Sequence, residues 1–115
     1  MSKGPLKDKS YKFALRVINL YKYLVQTKKE TVLSKQVLRS GTAIGALVSE
    51  AEFAQSKADF ISKMNIALKE AAETTYWLNL LKDSEYLDNK HYDSIYKDAK
   101  ELVAMLASTV KTLKK

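Results

Sequence analysis

The sequence predicts an all-α protein, an antiparallel up-down-up-down four-helix bundle. Three observations lead there. The 115 residues hold only three glycines and one proline, so turn chemistry is sparse. Apolar residues recur at three- and four-residue steps in four successive segments, the period of a helix. The breaks between those segments are short, which makes consecutive helices antiparallel neighbours. The length fits a single domain, residues 1–115, with a basic flexible N-terminus expected over 1–6.

The first helix is expected over about 7–28. Phe13, Val17, Leu20 and Leu24 form its apolar stripe, and Ala14, Ile18, Tyr21 and Val25 form a second one beside it. Lys9, Lys12, Arg16 and Lys22 occupy the remaining side. The segment KKETVLS breaks the pattern, and the second helix follows over about 33–55. Its stripe is Leu33, Val37, Gly41, Ile44, Val48 and Ala51. Two glycines inside a helix cost roughly 1 kcal/mol each against alanine. Gly41, Ala43, Gly45, Ala46 and Ser49 keep this helix thin, so close approach of its neighbours is the expected compensation.

The third helix is expected over about 57–84. Ser56 and Asp59 have the spacing of a capping box, with Asp in place of the usual Glu. Phe60, Met64, Ala67, Ala71, Thr74, Leu78 and Leu81 then alternate steps of four and three, a heptad seam. Ile66, Trp77 and Leu80 read as a second apolar face, roughly opposite that seam, and are the candidate oligomer interface. The fourth helix is expected over about 88–113. Asp88 is its N-cap, with Leu87 and Tyr92 as a hydrophobic staple. Its seam is Tyr92, Ile95, Ala99, Leu102, Leu106, Thr109 and Leu113.

Charge is unevenly spread. The net charge is +7, yet residues 1–40 alone hold ten basic and two acidic residues, Asp8 and Glu30. Residues 41–110 are net acidic. Such asymmetry points to a polyanion or an acidic partner. The candidate phosphate contacts are Lys9, Lys12, Arg16, Lys22, Lys28, Lys29, Lys35 and Arg39. In a bundle, Lys28, Lys29, Lys35 and Arg39 gather at one end. Tyrosines interleaved with lysines in YKYL and SYKF suit base stacking beside phosphate contacts, although core and interface positions are the commoner use of such residues.

Catalytic and metal motifs are missing. There is no cysteine and one histidine, His91. Neither GxxxxGK[ST] nor GxGxxG occurs, and the Glu-x-x-His pairs of carboxylate-bundle metal sites are absent. Glu50, Glu70 and Glu73 read as exposed or ion-paired helix residues. No enzyme activity, metal or cofactor is expected. The longest uncharged run, residues 40–49, is far short of the ~20 residues of a membrane span. MSKGPLKDKSYK lacks an apolar signal region, and a cytoplasmic location is expected.

LRSGTAIGALVSEA followed by DFISKMNIALKEAAETTYWL resembles the four-helix bundle family of proteins encoded in 23S rRNA intervening sequences, to which the accessory variability protein of diversity-generating retroelements is similar. The matching positions are Leu38, Arg39, Ala43 or its neighbour Thr42, Ile44, Ala46 and Glu50. Phe60, Ile66, Ala67, Glu73 and Leu78 match in the next helix. The likeness spans about 33–85. Leu47 stands where the family usually has Asn, and Ala51 where Gly is common. The resemblance implies a homopentamer with a basic surface suited to RNA. Together these readings lead to a non-enzymatic oligomeric accessory protein that binds nucleic acid, with RNA favoured. The alternative is a protein-interaction module that docks a partner through the apolar face of helix three.

Overall fold

A computed structural model describes residues 4–114 as four α-helices and no strand. They are α1 (Gly4–Gln26), α2 (Leu33–Ala51), α3 (Lys57–Asp83) and α4 (Asn89–Leu113). Contacts between helices fix the topology. Gly45 lies against Ser10 and Gly41 against Val17, so α1 and α2 run antiparallel. Lys63 pairs with Glu50 and Arg39 with Glu73, which orients α3 against α2. Lys9 reaches Glu101 and Arg16 reaches Asp98, which closes α4 against α1. The up-down-up-down bundle measures 44 × 21 × 20 Å.

The ends of the helices show where local chemistry decides. α1 begins at Gly4, three residues before the expected start, because Pro5 in a first turn gives up no helical hydrogen bond. Residues 4–6 of the expected flexible N-terminus are therefore helical, and 1–3 lie outside the described residues. α2 stops at Ala51, four residues early. The N–H groups of Glu52, Phe53 and Ala54 turn back on the carbonyls of Ser49, Glu50 and Ala51, three residues behind each. Ser56 is fully extended and accepts from the N–H of Asp59 at 3.0 Å. The Asp59 carboxylate in turn accepts from the N–H of Gln55 at 3.1 Å. This is the expected box, reaching one residue further back than the usual form.

α3 ends in a Schellman turn. Tyr86 N–H donates to Leu81 O and Glu85 N–H to Lys82 O, with Glu85 at φ 69°. Lys29 takes the same left-handed conformation (φ 58°) after α1. Both positions are usually glycine, because a side chain there crowds the following carbonyl. Asp88 caps α4 as expected, accepting from His91 N–H at 2.8 Å.

The core follows the seams. Phe13, Val17 and Leu24 of α1, Val37 and Ile44 of α2, Leu78 and Leu81 of α3, and Leu102 and Leu106 of α4 are all buried. Two refinements to the expected pattern emerge. The α4 seam ends on buried Val110, while Thr109 and Leu113 are half-buried. Phe60 opens the α3 seam only half-buried, because it sits in the first turn at the bundle end. Between α2 and α3 the hydroxyls of Ser40 and Thr74 meet at 2.9 Å, and both residues are fully buried.

The thin second helix performs as its composition suggests. A Cβ placed on Gly41 would lie 2.7 and 2.9 Å from the two methyls of Val17. At Gly45 it would lie 3.2 Å from the Ser10 carbonyl oxygen. α1 thus rests directly on the backbone of α2. The one-turn spacing of the two glycines extends this close contact along the helix.

Candidate nucleic-acid interface

The eight candidate basic residues divide into two groups. Lys9, Arg16 and Arg39 are committed to the bundle itself. Lys9 pairs with Glu101 and, at 3.5 Å, with Asp98. The hydrogen bond to Glu101, reinforced by the charge of Asp98, holds its ammonium pKa above the ordinary lysine value. Arg16 donates to Asp98 at 2.8 Å and to the carbonyl and hydroxyl of Ser94. Arg39 donates to Glu73 at 2.7 Å and Glu70 at 3.3 Å, which raises its pKa further. These three act as clasps between helices.

The other five are free. Lys12, Lys22, Lys28, Lys29 and Lys35 are exposed and form no ion pair among the described residues. Lys12 and Lys22 stand on α1. Lys28 and Lys29 lie in the connection to α2, and Lys35 is in the first turn of α2.

Their electrostatic setting depends on Glu30. Between Lys9 and Ser49 it is the only acidic residue in the sequence. Charge counting treats it as an offset to the surrounding lysines, but the fold buries it, leaving it 7% exposed. Its carboxylate accepts from the N–H groups of Val32 (3.0 Å), Leu33 (2.9 Å) and Ser34 (2.7 Å). Val32, the formal N-cap of α2, provides no side-chain acceptor, so Glu30 caps the helix from two residues upstream. The positive end of the α2 dipole also favours a carboxylate there. Glu30 is thereby withdrawn from the surface. What faces water along this stretch is basic or neutral.

Sequence patterning did not find this role for Glu30. The capping-box signal looks for Ser, Thr, Asp or Asn followed by Glu, whereas here a Glu precedes the helix and the reversal at Lys29 brings it back.

The second apolar face of α3 also differs from expectation. Trp77 and Leu80 are half-buried, and Trp77 packs against the core. Trp77 sits on the flank of α3, whereas Leu80 lies roughly opposite the seam. Stepping 100° per residue, Trp77 lies about 90° from the core direction, Ile66 about 110° and Leu80 about 150°. The Trp77 indole N–H donates to Glu73 at 2.9 Å, and Glu73 also holds Arg39. The apolar side chains most open to water on α3 are Ile66 (42% exposed) and Tyr76 (55%). Tyr76 meets Trp77 edge-on with ring centroids 5.0 Å apart.

The Trp77 indole, with help from Arg39, holds the Glu73 carboxyl below the ordinary glutamate value. A depressed folded-state pKa stabilises the fold above the unfolded value and ceases to do so as pH falls through the folded one. Trp77→Phe is therefore expected to lower the melting temperature most near neutral pH. The gap to wild type should narrow as the pH falls below about 4. Thermal melts by circular dichroism across that range provide the check.

Other groups fall into place as structural. Glu50 lies 3.8 Å from Lys63 on α3, whereas Glu52 pairs with Lys7 on α1 at 2.9 Å. The two acids point to different helices, as residues two apart on a helix must. His91 is exposed, with Nδ1 2.8 Å from the Asp88 carboxylate. Among the described residues no three of His, Asp and Glu gather as a metal site would require, and no helix is long and apolar enough to cross a membrane. A cavity of about 290 Å³ opens between α1 and α4, with Arg16, Asn19, Tyr23 and His91 around an apolar floor of Leu20, Leu87 and Ile95.

This architecture has known counterparts. A crystal structure of a protein of unknown function from the S23 ribosomal protein family of Bacteroides thetaiotaomicron is 58% identical to the chain. It superposes with a TM-score of 0.92, covering 93% of this chain and 99% of the other. No curated protein matches the sequence. The family model described as 23S rRNA-intervening sequence protein matches residues 5–108, nearly the whole bundle. The chain belongs to the 23S rRNA-intervening sequence protein family.

Proposed function

We propose that the protein is a non-enzymatic, oligomeric accessory protein that binds RNA through Lys12, Lys22, Lys28, Lys29 and Lys35. One observation carries the reading. Across 41 consecutive residues, 9–49, the sole carboxylate is turned inward to cap a helix while five lysines stay exposed and unpaired. Exposed like charges repel one another; a bound polyanion relieves that repulsion, and the counterions condensed on it are released. Membership of a family described by the 23S rRNA intervening sequence favours RNA as that polyanion. Lys9, Arg16 and Arg39 play a smaller part, since they are already neutralised by partners. Assembly into a ring, a pentamer on the family resemblance, would repeat the lysine set and add avidity without new contacts.

The test is RNA affinity as a function of salt. Five phosphate contacts per protomer give a slope of log K on log salt of about −3.5 for a single strand. Alanine at all five lysines is expected to flatten the slope and remove most of the affinity, whereas Arg39→Ala should leave the slope nearly unchanged. A wild-type protein with no affinity for RNA at about 50 mM salt would sink the proposal. Light scattering addresses the oligomer separately, and a monodisperse monomer would remove that part.

The second reading is a protein-docking module on α3, favoured by the exposure of Ile66 and Tyr76. It predicts partner binding that is indifferent to salt and is lost in Ile66→Asp.

A further inference from the structure

We infer that the RNA taken by this protein is single-stranded, and that it lies along the solvent face of α1 with bases stacked on Tyr11 and Tyr23. The inference rests on the RNA-binding reading and specifies the form of its ligand.

The solvent face of α1 is more than a row of lysines. Tyr11 is 66% exposed, Leu15 47% and Tyr23 40%. Lys12, Asn19 and Lys22 are exposed on the same side of the helix. From Lys9 to the end of α1 there is no acidic residue. An exposed aromatic sits beside an exposed lysine twice, as Tyr11–Lys12 and as Lys22–Tyr23. The two pairs are eleven residues apart, which is three helical turns plus about 20°. Tyr11 therefore lines up with Lys22, and Lys12 with Tyr23, each over about 16 Å. The result is a rectangle with a ring and an ammonium at each end and the apolar Leu15 between them.

Large aromatic rings held in water beside cations mark a surface that meets a ligand. A single strand uses both kinds of group at once: phosphates contact the lysines and unpaired bases stack on the rings. A duplex cannot, because its bases are already stacked and its deep groove is closed to side chains. The far end of the rectangle has a further element. Tyr23 and Asn19 border the α1–α4 cavity, which has an apolar floor. A base splayed out against Tyr23 has room there, and the Asn19 amide supplies one donor and one acceptor at its edge.

The experiment compares an unstructured RNA strand of about 15 nucleotides with the blunt duplex of the same sequence, by fluorescence anisotropy on the full chain. Tyr11→Ala/Tyr23→Ala is expected to weaken single-strand binding about 30-fold or more. The salt slope should be unchanged, because no phosphate contact is lost. Tyr11→Phe/Tyr23→Phe should bind like wild type, since stacking needs the ring and not the hydroxyl. Lys12→Ala/Lys22→Ala should instead reduce the slope by about 1.4. A duplex bound as tightly as the strand, or a tyrosine double variant that binds the strand normally, overturns the inference while leaving RNA binding intact. A tyrosine variant whose oligomer dissociates in light scattering shows that the face contacts another protein chain, and overturns it as well. Absence of any RNA binding by wild type removes both proposals together. The melting temperature of each variant, expected within a few degrees of wild type for such exposed positions, verifies that the fold is retained.

Discussion

Gly41→Ala is expected to destabilise the bundle by about 2 kcal/mol, although alanine is the better helix former by about 1 kcal/mol. The sign is decided by Val17. Its two methyls stand 2.7 and 2.9 Å from the position the new Cβ would occupy, and its own Cβ is 3.2 Å away. Val17 is fully buried and, being β-branched, holds one strongly preferred rotamer in a helix. It cannot turn aside, so α1 and α2 must separate. Separation loosens the dispersion contacts on either side, and overpacking of this kind costs about 1–3 kcal/mol. Urea denaturation of wild type and variant gives the value. Val17→Ala alone is expected to cost about 2 kcal/mol through the cavity it leaves. The double variant should cost clearly less than the two together, since each change relieves the other. Additive losses would show that Gly41 is not held against Val17.

Glu30→Ala is expected to cost about 2–3 kcal/mol, an unusual penalty for a glutamate in an inter-helix connection. Three backbone N–H groups at the start of α2 lose their acceptor at once, and the site is too buried for water to replace it without rearrangement. Glu30→Gln keeps an acceptor oxygen but not the charge, and should lose about half as much. Amide hydrogen exchange at Val32, Leu33 and Ser34 localises the effect. If those amides retain wild-type protection in the alanine variant, the capping role is wrong. RNA affinity at matched salt should be unchanged, since the carboxylate it removes does not face the ligand.

The bundle was legible in the sequence because it is written in local signals. The 4-3 seam of α3 predicts the side it buries, and the Ser56 and Asp88 caps each bond the predicted amide. Signals that depend on which helix lies alongside were not legible. A helical wheel places Lys9, Arg16 and Arg39 on polar faces but does not say that Asp98, Glu101 and Glu73 lie opposite. It therefore counts three clasps as open charge. Glu30 shows the converse. Its burial needs the left-handed turn at Lys29, and lysine carries no sequence mark for such a turn. Trp77 was misplaced for a related reason. A large ring on the flank of a helix reaches back to the core, and position on the wheel alone understates its burial.

The bundle is closed by charge as well as by packing. α1 and α4, the first and last helices, meet over cavities and are joined by Lys9 and Arg16 reaching Asp98, Glu101 and Ser94. The other seams also carry ion pairs, Lys7–Glu52 and Arg39–Glu73 among them, but they pack more closely through buried side chains and, between α1 and α2, through direct backbone contact. Partly exposed ion pairs weaken as salt rises, whereas buried apolar contacts do not. Breathing of the native state should therefore start along this one seam, and the chain would open like a book with α2 and α3 as its spine.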